Sequence, residues 1–183
     1  MFVFDSFEIK GNHICKLVLP EKVYSQDLFQ IIQDEHDRIQ EWLPIPEKTK
    51  TLEDEENFIE YVQKKMIEKK LFTLCILVDN RVVGTIDLHD ISHKHRRAEI
   101  GYWISGRWEG YGIVTKACKS IINYGFSVLD LHKIYIEVDS QNFKSQAVAQ
   151  RLGFSKEAHF KKVLVHNGDY HDSIWFGLVN ENN

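Results

Sequence analysis

The stretch Glu99-Ile100-Gly101-Tyr102-Trp103-Ile104-Ser105-Gly106-Arg107-Trp108-Glu109-Gly110-Tyr111-Gly112-Ile113-Val114-Thr115 runs from an alternating, aromatic-rich strand into an amphipathic helix, with Gly110 and Gly112 at the helix start. A helix start presents backbone N–H groups without intrahelical partners and the positive end of the macrodipole. Glycine lets the backbone close on a ligand without side-chain collision. The stretch therefore predicts an anion cradle of the kind that holds phosphate.

Working outward, Leu71–Val78 and Val82–Leu88 read as strands joined at Asp79-Asn80-Arg81, residues that tolerate a tight hairpin turn. The polar loop Asp90–Arg97 then leads to a third antiparallel strand, Glu99–Ile104. Earlier in the chain, Ile14–Leu19 reads as a first strand. Val23–Trp42 carries Leu28, Ile31, Ile32, Ile39 and Trp42 at helical spacing and is broken by Pro44 and Pro46. Thr51-Leu52-Glu53-Asp54 is a capping-box signal before a helix with Phe58, Ile59, Val62 and Met66 on one side. After the glycine loop, Ile113, Ala117, Ile121 and Phe126 form a helical stripe in which Gly125 is a weak point.

Ile134, Ile136 and Val138 alternate as a strand, Ser145–Leu152 reads as a helix closed by Gly153, and two more strands flank His166-Asn167-Gly168-Asp169. The order predicts a mixed α/β sheet, an antiparallel meander followed by one β-loop-α-β crossover. No repeat or linker interrupts it, so a single domain is expected over residues 1–183, with its core from about 8 to 179.

The chain has 183 residues, 43% of them hydrophobic, enough for a proper core. Lys+Arg 23 against Asp+Glu 27 gives a formal charge of −4, which offers nucleic acid or an anionic membrane no broad basic field and suits a cationic amine substrate. The three cysteines, Cys15, Cys75 and Cys118, are far apart and lack CxxC spacing, as reduced thiols in a cytoplasmic protein do. No stretch resembles a signal peptide or a membrane span.

Two segments together are specific. Arg107-x-x-Gly110-x-Gly112 resembles the pyrophosphate loop of the GNAT acetyltransferase superfamily, and Asn142-x-x-Ser145-x-x-Val148-Ala149-x-Arg151-Leu152-Gly153-Phe154 resembles its second cofactor motif. Glu99-Ile100-Gly101-Tyr102-Trp103, Trp42-Leu43-Pro44 and Asn167-Gly168-x-Tyr170-x-Asp172 are similar to the RimJ/RimL branch, which acetylates protein N-termini, those of ribosomal proteins especially. The resemblance spans about Leu17 to Leu178.

It implies a GNAT-like fold with a splayed central pair of strands, and acetyl-CoA as cosubstrate without a metal. The pyrophosphate would rest on the backbone of Arg107, Trp108, Glu109, Gly110, Tyr111, Gly112 and Ile113, with the Thr115 hydroxyl near the helix start. The pantetheine arm would pair with the strand edge at Tyr102, Trp103 and Ile104, with Asn142 a further partner and Ser145 facing the thioester sulfur. Relatives of this type also pair with a second copy, which makes a homo-oligomer an open expectation.

A neutral amine held in line attacks a thioester directly, so positioning supplies much of the rate. A protein α-amine, with a reference pKa of about 7.7–8.0 against about 10.4 for lysine, needs only a modest base. Glu99, acting through a water, is the candidate, with an oxyanion donor among the N–H groups near Trp103 or Ile104. Many superfamily members place a tyrosine acid seven residues after the motif asparagine. Ala149 stands there, so Ser145 is the candidate donor or relay to the departing thiolate. Some branch members carry a glutamate on the following strand, but Val163-Leu164-Val165 is apolar.

Plainer readings stand beside these. Glu99 could pair with Arg96 or Arg97, Asn142 and Ser145 could be ordinary helix caps, and Arg107 could be a solvated rim residue. His89, His93 and His95 lack the companions of a familiar metal motif, while His166 and His171 flank the last hairpin on the substrate side. Trp42 and Tyr61 read as core residues or cleft walls. Competing functions are a dinucleotide-dependent oxidoreductase, a non-catalytic acyl-CoA-binding module, and transfer to a polyamine or aminoglycoside.

Overall fold

The computed structural model describes residues 1–166 and 168–181; Asn167, half of the Asn-Gly turn signal, lies outside the described residues. The strands are β1 (Val3–Ile9), β2 (His13–Val18), β3 (Phe72–Val78), β4 (Arg81–Ser92), β5 (Arg97–Ile104), β6 (Lys133–Asp139), β7 (Ser155–His166) and β8 (Asp169–Val179). The helices are α1 (Ser25–Asp34), α2 (His36–Gln40), α3 (Ile45–Lys48), α4 (Leu52–Ile67), α5 (Ile113–Ser127) and α6 (Phe143–Arg151). All strands join one sheet in the order β1-β2-β3-β4-β5-β6-β8-β7. Strands β1 to β5 form an antiparallel meander, and α5 carries the chain across to β6, which lies parallel to β5. This is the expected mixed sheet, and its antiparallel meander leaves no place for a dinucleotide-binding unit, which needs an early parallel pair.

Alternation along the strands sorts the residues onto two covered faces. Leu74, Ile76, Ile86, Leu88, Ile100, Ile134 and Ile136 pack with Ile113, Ala117 and Ile121 of α5, while Val18, Cys75, Leu77 and Val82 pack with Leu28 of α1 and Ile59 of α4. Each fully buried Ile or Leu contributes roughly 2 kcal/mol by area bookkeeping. Gly125 sits where α5 crosses β6, and a Cβ there would lie 2.9 Å from Ile134 Cδ1. The apparent weak point is thus a close contact. Cys15, Cys75 and Cys118 are buried and unpaired, and burial pushes the Cys15 and Cys75 thiols up to about 12. Among the described residues no helix is long and apolar enough to cross a membrane.

Three local expectations need correction. Strand β1 escapes the periodicity because it is an edge strand, paired only with β2, with Ile9 its one buried residue. The single helix read over Val23–Trp42 is instead a 3-10 turn, Lys22–Tyr24, followed by α1 and α2. Its break is Glu35, at φ −115° and ψ 26°, whose side chain is drawn to the glycine loop. On α4 the Thr51–Asp54 capping box forms and Ile59 and Val62 are buried, but Phe58 is 46% exposed and Glu55 is buried. Tyr61 is likewise exposed rather than core.

Strands β5 and β6 pair over three rungs, Arg97 with Lys133, Ala98 with Ile134 and Glu99 with Tyr135. Beyond Glu99 the ladder stops, β5 continuing against β4 and β6 against β8. The sheet therefore opens into a gap between residues 100–104 and 136–139.

Candidate active site

The glycine loop lies at the open end of this gap. Gly110 and Gly112 have φ of 80° and 81°, the left-handed region that glycine enters without strain. A Cβ at either would meet nothing within 4 Å, so the space above the loop is open to a ligand. Gly112 is the N-cap of α5, no side chain caps it, and no acidic residue occupies the first turn. The side chain of Ile113 is buried, leaving its N–H as what it offers outward, and Thr115 lies in the same first turn. Trp108 and Tyr111 pack against one another, ring centroids 5.3 Å apart, and both edge onto His13. The Arg107 guanidinium lies 5.9 Å from the Trp108 ring centroid.

The loop is pinned from the far side of the chain by Glu35 and Arg38. Glu35 accepts from Gly106 N–H at 2.8 Å and from Ser105 Oγ at 2.5 Å. Burial tends to raise this carboxyl, but the Gly106, Ser105 and Arg38 donors outweigh it and hold Glu35 below its ordinary range. Arg38 Nε donates to Glu35 at 2.6 Å, Nη2 to the Ile104 carbonyl at 2.7 Å and Nη1 to Glu109 at 3.0 Å. Glu109 also meets Lys144 of α6 at 2.5 Å and its N–H donates to Gly106 O at 3.2 Å, so side chain and backbone alike brace the loop. Sequence reasoning missed both Glu35 and Arg38. Their one signal was an acid-base pair at i,i+3 inside an apolar stripe, which is also what a solvated helix face presents.

Across the gap, Tyr102 Oη lies 2.8 Å from Ser145 Oγ. Ser145 is held in turn by its own N–H, which donates to Asn142 Oδ1 at 3.0 Å, so Asn142 caps α6 as the plainer reading had it. Burial raises the Tyr102 phenol above its ordinary value, with the hydrogen bond to Ser145 acting the other way, so it stays protonated. Ala149 is fully buried in the core. The absent tyrosine of that position is thus matched by a phenol reaching Ser145 from β5. Ser105 N–H donates to Val83 O at 2.7 Å, which fixes the hydrogen-bonding parity of β5 against β4. The same parity turns the backbone groups of Trp103 toward β4 and those of Tyr102 and Ile104 toward the gap.

The opposite face of β5 carries Glu99, Gly101 and Trp103. Glu99 pairs with neither Arg96 nor Arg97: Arg96 is bound to Asp130, and Glu99 Oε2 lies 3.5 Å from His89 Nε2. His89 Nδ1 lies 2.7 Å from Asp87 Oδ1. Burial works against a charged imidazole, yet the two carboxylates push His89 up to about 10, so it is an imidazolium between Asp87 and Glu99. Gly101 makes room for it, since a Cβ there would meet His89 Cε1 at 3.2 Å. Tyr135 and Trp175 stack alongside at 5.0 Å, and Glu137 accepts from Ser173 Oγ at 2.6 Å. The result is an acidic, aromatic face beside a strand gap and a helix-start cradle.

A helix-start cradle beside an open strand edge suits an enzyme that works on an acyl-coenzyme A. The family described as Acetyltransferase (GNAT) domain matches residues 17–155, and the chain belongs to it. It is an acetyl-CoA-dependent N-acetyltransferase. It is 32% identical over 174 residues to YdaF of Bacillus subtilis (strain 168), provisionally named a ribosomal N-acetyltransferase, covering 94% of this chain and 95% of that one. It is 40% identical over 96 residues to the spermidine N(1)-acetyltransferase of Escherichia coli (strain K12), a match covering 52% of each chain. The microcin C7 self-immunity acetyltransferase MccE, solved with acetyl-CoA and AMP, superposes with a TM-score of 0.85 at 28% identity, over 91% of this chain and 92% of that one. RimL, a ribosomal L7/L12 α-N-protein acetyltransferase solved with coenzyme A, shares the fold with a TM-score of 0.88 at 21% identity, over 92% of this chain and 96% of that one.

Proposed function

We propose that this enzyme acetylates the N-terminal α-amine of a protein, a ribosomal protein first among the acceptors, in the cytoplasm. The observation that carries this reading is the place of Glu99, a carboxylate beside the strand gap on the acidic face of β5, 3.5 Å from His89 Nε2. An α-amine, with a pKa near 7.7–8.0 against about 10.4 for a lysine-type amine, asks only a modest base of it. The near-full-length likeness to YdaF supports the same acceptor.

In this mechanism the N–H groups of Arg107 and of Gly110 to Ile113, with Thr115, hold the pyrophosphate, whereas those of Trp108 and Glu109, expected to join them, close the preceding turn on Ser105 O and Gly106 O. The outward backbone groups of Tyr102 pair with the amide-bearing arm, with Trp103 and Asn142 along its course, the Ile104 carbonyl being held by Arg38. Glu99 takes the ammonium proton through a water. The Ile104 N–H steadies the oxyanion, and Ser145, supplied by the Tyr102 hydroxyl, protonates the departing thiolate. Acetyl-CoA itself contributes the activated acetyl group.

The acceptor assay is a mass-spectrometric comparison of ribosomal-protein N-terminal peptides, the same peptides with blocked α-amines, and spermidine. Acetylation confined to free α-amines is the expected result. Faster transfer to spermidine would replace this reading with a polyamine one, which the acidic face and the spermidine-acetyltransferase match favour.

A further inference from the structure

At the wide end of the gap, β6 ends in Asp139, four residues past its last rung with β5, as Trp103 is on β5. The Asp139 side chain is only 3% exposed, which is an expensive place for a carboxylate without compensation. Its Oδ1 accepts from Gln141 N–H at 2.7 Å, and its Oδ2 meets His171 Nδ1 at 2.6 Å. His166 Nε2 lies 3.3 Å from the same Oδ2, yet it is buried and makes no hydrogen bond. The ring of Trp42, from the segment after α2, lies 6.5 Å from that of His166. Three strands thus bring two imidazoles and one carboxylate together, with ligand atoms within 4.8 Å of one another.

A buried ring nitrogen beside a buried carboxylate oxygen without a hydrogen bond to it can offer its lone pair to a cation. We propose that Asp139, His166 and His171 form a binding site for a divalent transition-metal ion of the zinc type. Two imidazole nitrogens and one carboxylate oxygen are a ligand set that such ions accept, with the remaining position left to water. Bonds of about 2.0–2.2 Å in a tetrahedral arrangement place ligand atoms about 3.3 Å apart. His166 and Asp139 already stand at that spacing, and the His171–Asp139 contact lengthens by several tenths of an ångström to match. Binding at Nδ1 takes that nitrogen's lone pair, so a hydrogen standing between His171 and Asp139 is carried on Nε2 of the same ring or, from a charged ring, leaves to solvent. The other grouping of this kind, His89, Asp90 and Glu99, is different because its imidazole is already charged and offers no lone pair. The site is independent of which amine the enzyme acetylates.

The test uses the untagged, EDTA-treated full chain at pH 7.5, titrated calorimetrically with Zn2+, with Co2+ absorption as a second readout of coordination. One Zn2+ per chain is expected, weakened more than about 100-fold in the His166→Gln/His171→Gln double variant and unchanged in His93→Gln. Should the double variant not fold, imidazole NMR of the wild-type chain decides: Zn2+ is expected to shift the signals of two of the nine histidines. No saturable binding, binding that survives in the folded double variant, or Zn2+ perturbation at other histidines would overturn the proposal.

Discussion

The Tyr102 hydroxyl and Ser145 Oγ, 2.8 Å apart, join β5 to the start of α6 where the β5–β6 ladder has opened. A lone serine hydroxyl is a poor acid, but a serine backed by a phenol that burial keeps protonated can pass a proton on. Ser145→Ala and Tyr102→Phe are each expected to lower kcat about 100-fold while acetyl-CoA affinity changes less than about twofold. Because the two act in one path, the double variant should lose no more than the worse single one. Multiplying losses in steady-state kinetics would separate the two groups.

The strand-loop-helix order around Gly110 and Gly112, the Asp79-Asn80 hairpin and the Thr51 capping box were legible because each rests on local rules of backbone conformation. Glu35 was not, because its helix break serves Gly106, a partner 71 residues away. The same holds for Tyr102: strand alternation assigns it a face, but only the crossover places Ser145 against it. Phe58 was read as buried and is exposed, while Glu55, three residues earlier on α4, is buried, since helical positions around a face boundary differ little in pattern. The proposed donor side rests on two motifs, whereas the face proposed for the acceptor joins Glu99 of β5 to residues of β4, β6 and β8 that share no spacing.

Arg38 ties Glu35, Glu109 and the Ile104 carbonyl into one brace behind the glycine loop. Arg38→Ala should free the loop and weaken acetyl-CoA binding about tenfold, with kcat at saturation nearly unchanged. Lysine cannot reproduce three directed contacts, so Arg38→Lys should recover little of the loss. Calorimetric Kd values for both variants check this, and wild-type affinity in Arg38→Ala would remove the brace from the account.

Glu99→Gln should slow transfer most at low pH, where the acceptor amine is charged and a base is most needed. The profile of kcat/KM against pH should steepen on its acid side. A profile of wild-type shape would transfer the base role away from Glu99.

Glu55 is buried on α4, and burial alone pushes its carboxyl from about 4.5 up to about 7. A raised acid holds its proton more tightly when folded, so it costs nothing below about pH 4.5, and stability falls as pH rises through about 7. Above that the cost reaches about 3 kcal/mol, from 1.36 kcal/mol per unit. Glu55→Gln should accordingly raise Tm at pH 8 by several degrees and have little effect at pH 4.5. Equal melting temperatures at pH 8 would show that Glu55 is hydrated or paired.

The cradle formed by Gly110, Gly112 and the start of α5 is the centre of the account, and calorimetric titration with acetyl-CoA of the wild type and of Gly110→Asp addresses it most directly. A carboxylate added to the open space over the loop should repel the pyrophosphate, so saturable one-to-one binding is predicted for the wild type, with a severe loss in a variant of unchanged circular dichroism. Equal affinity in the folded variant would mean that the coenzyme is held elsewhere, and the assignment of the donor site would fail.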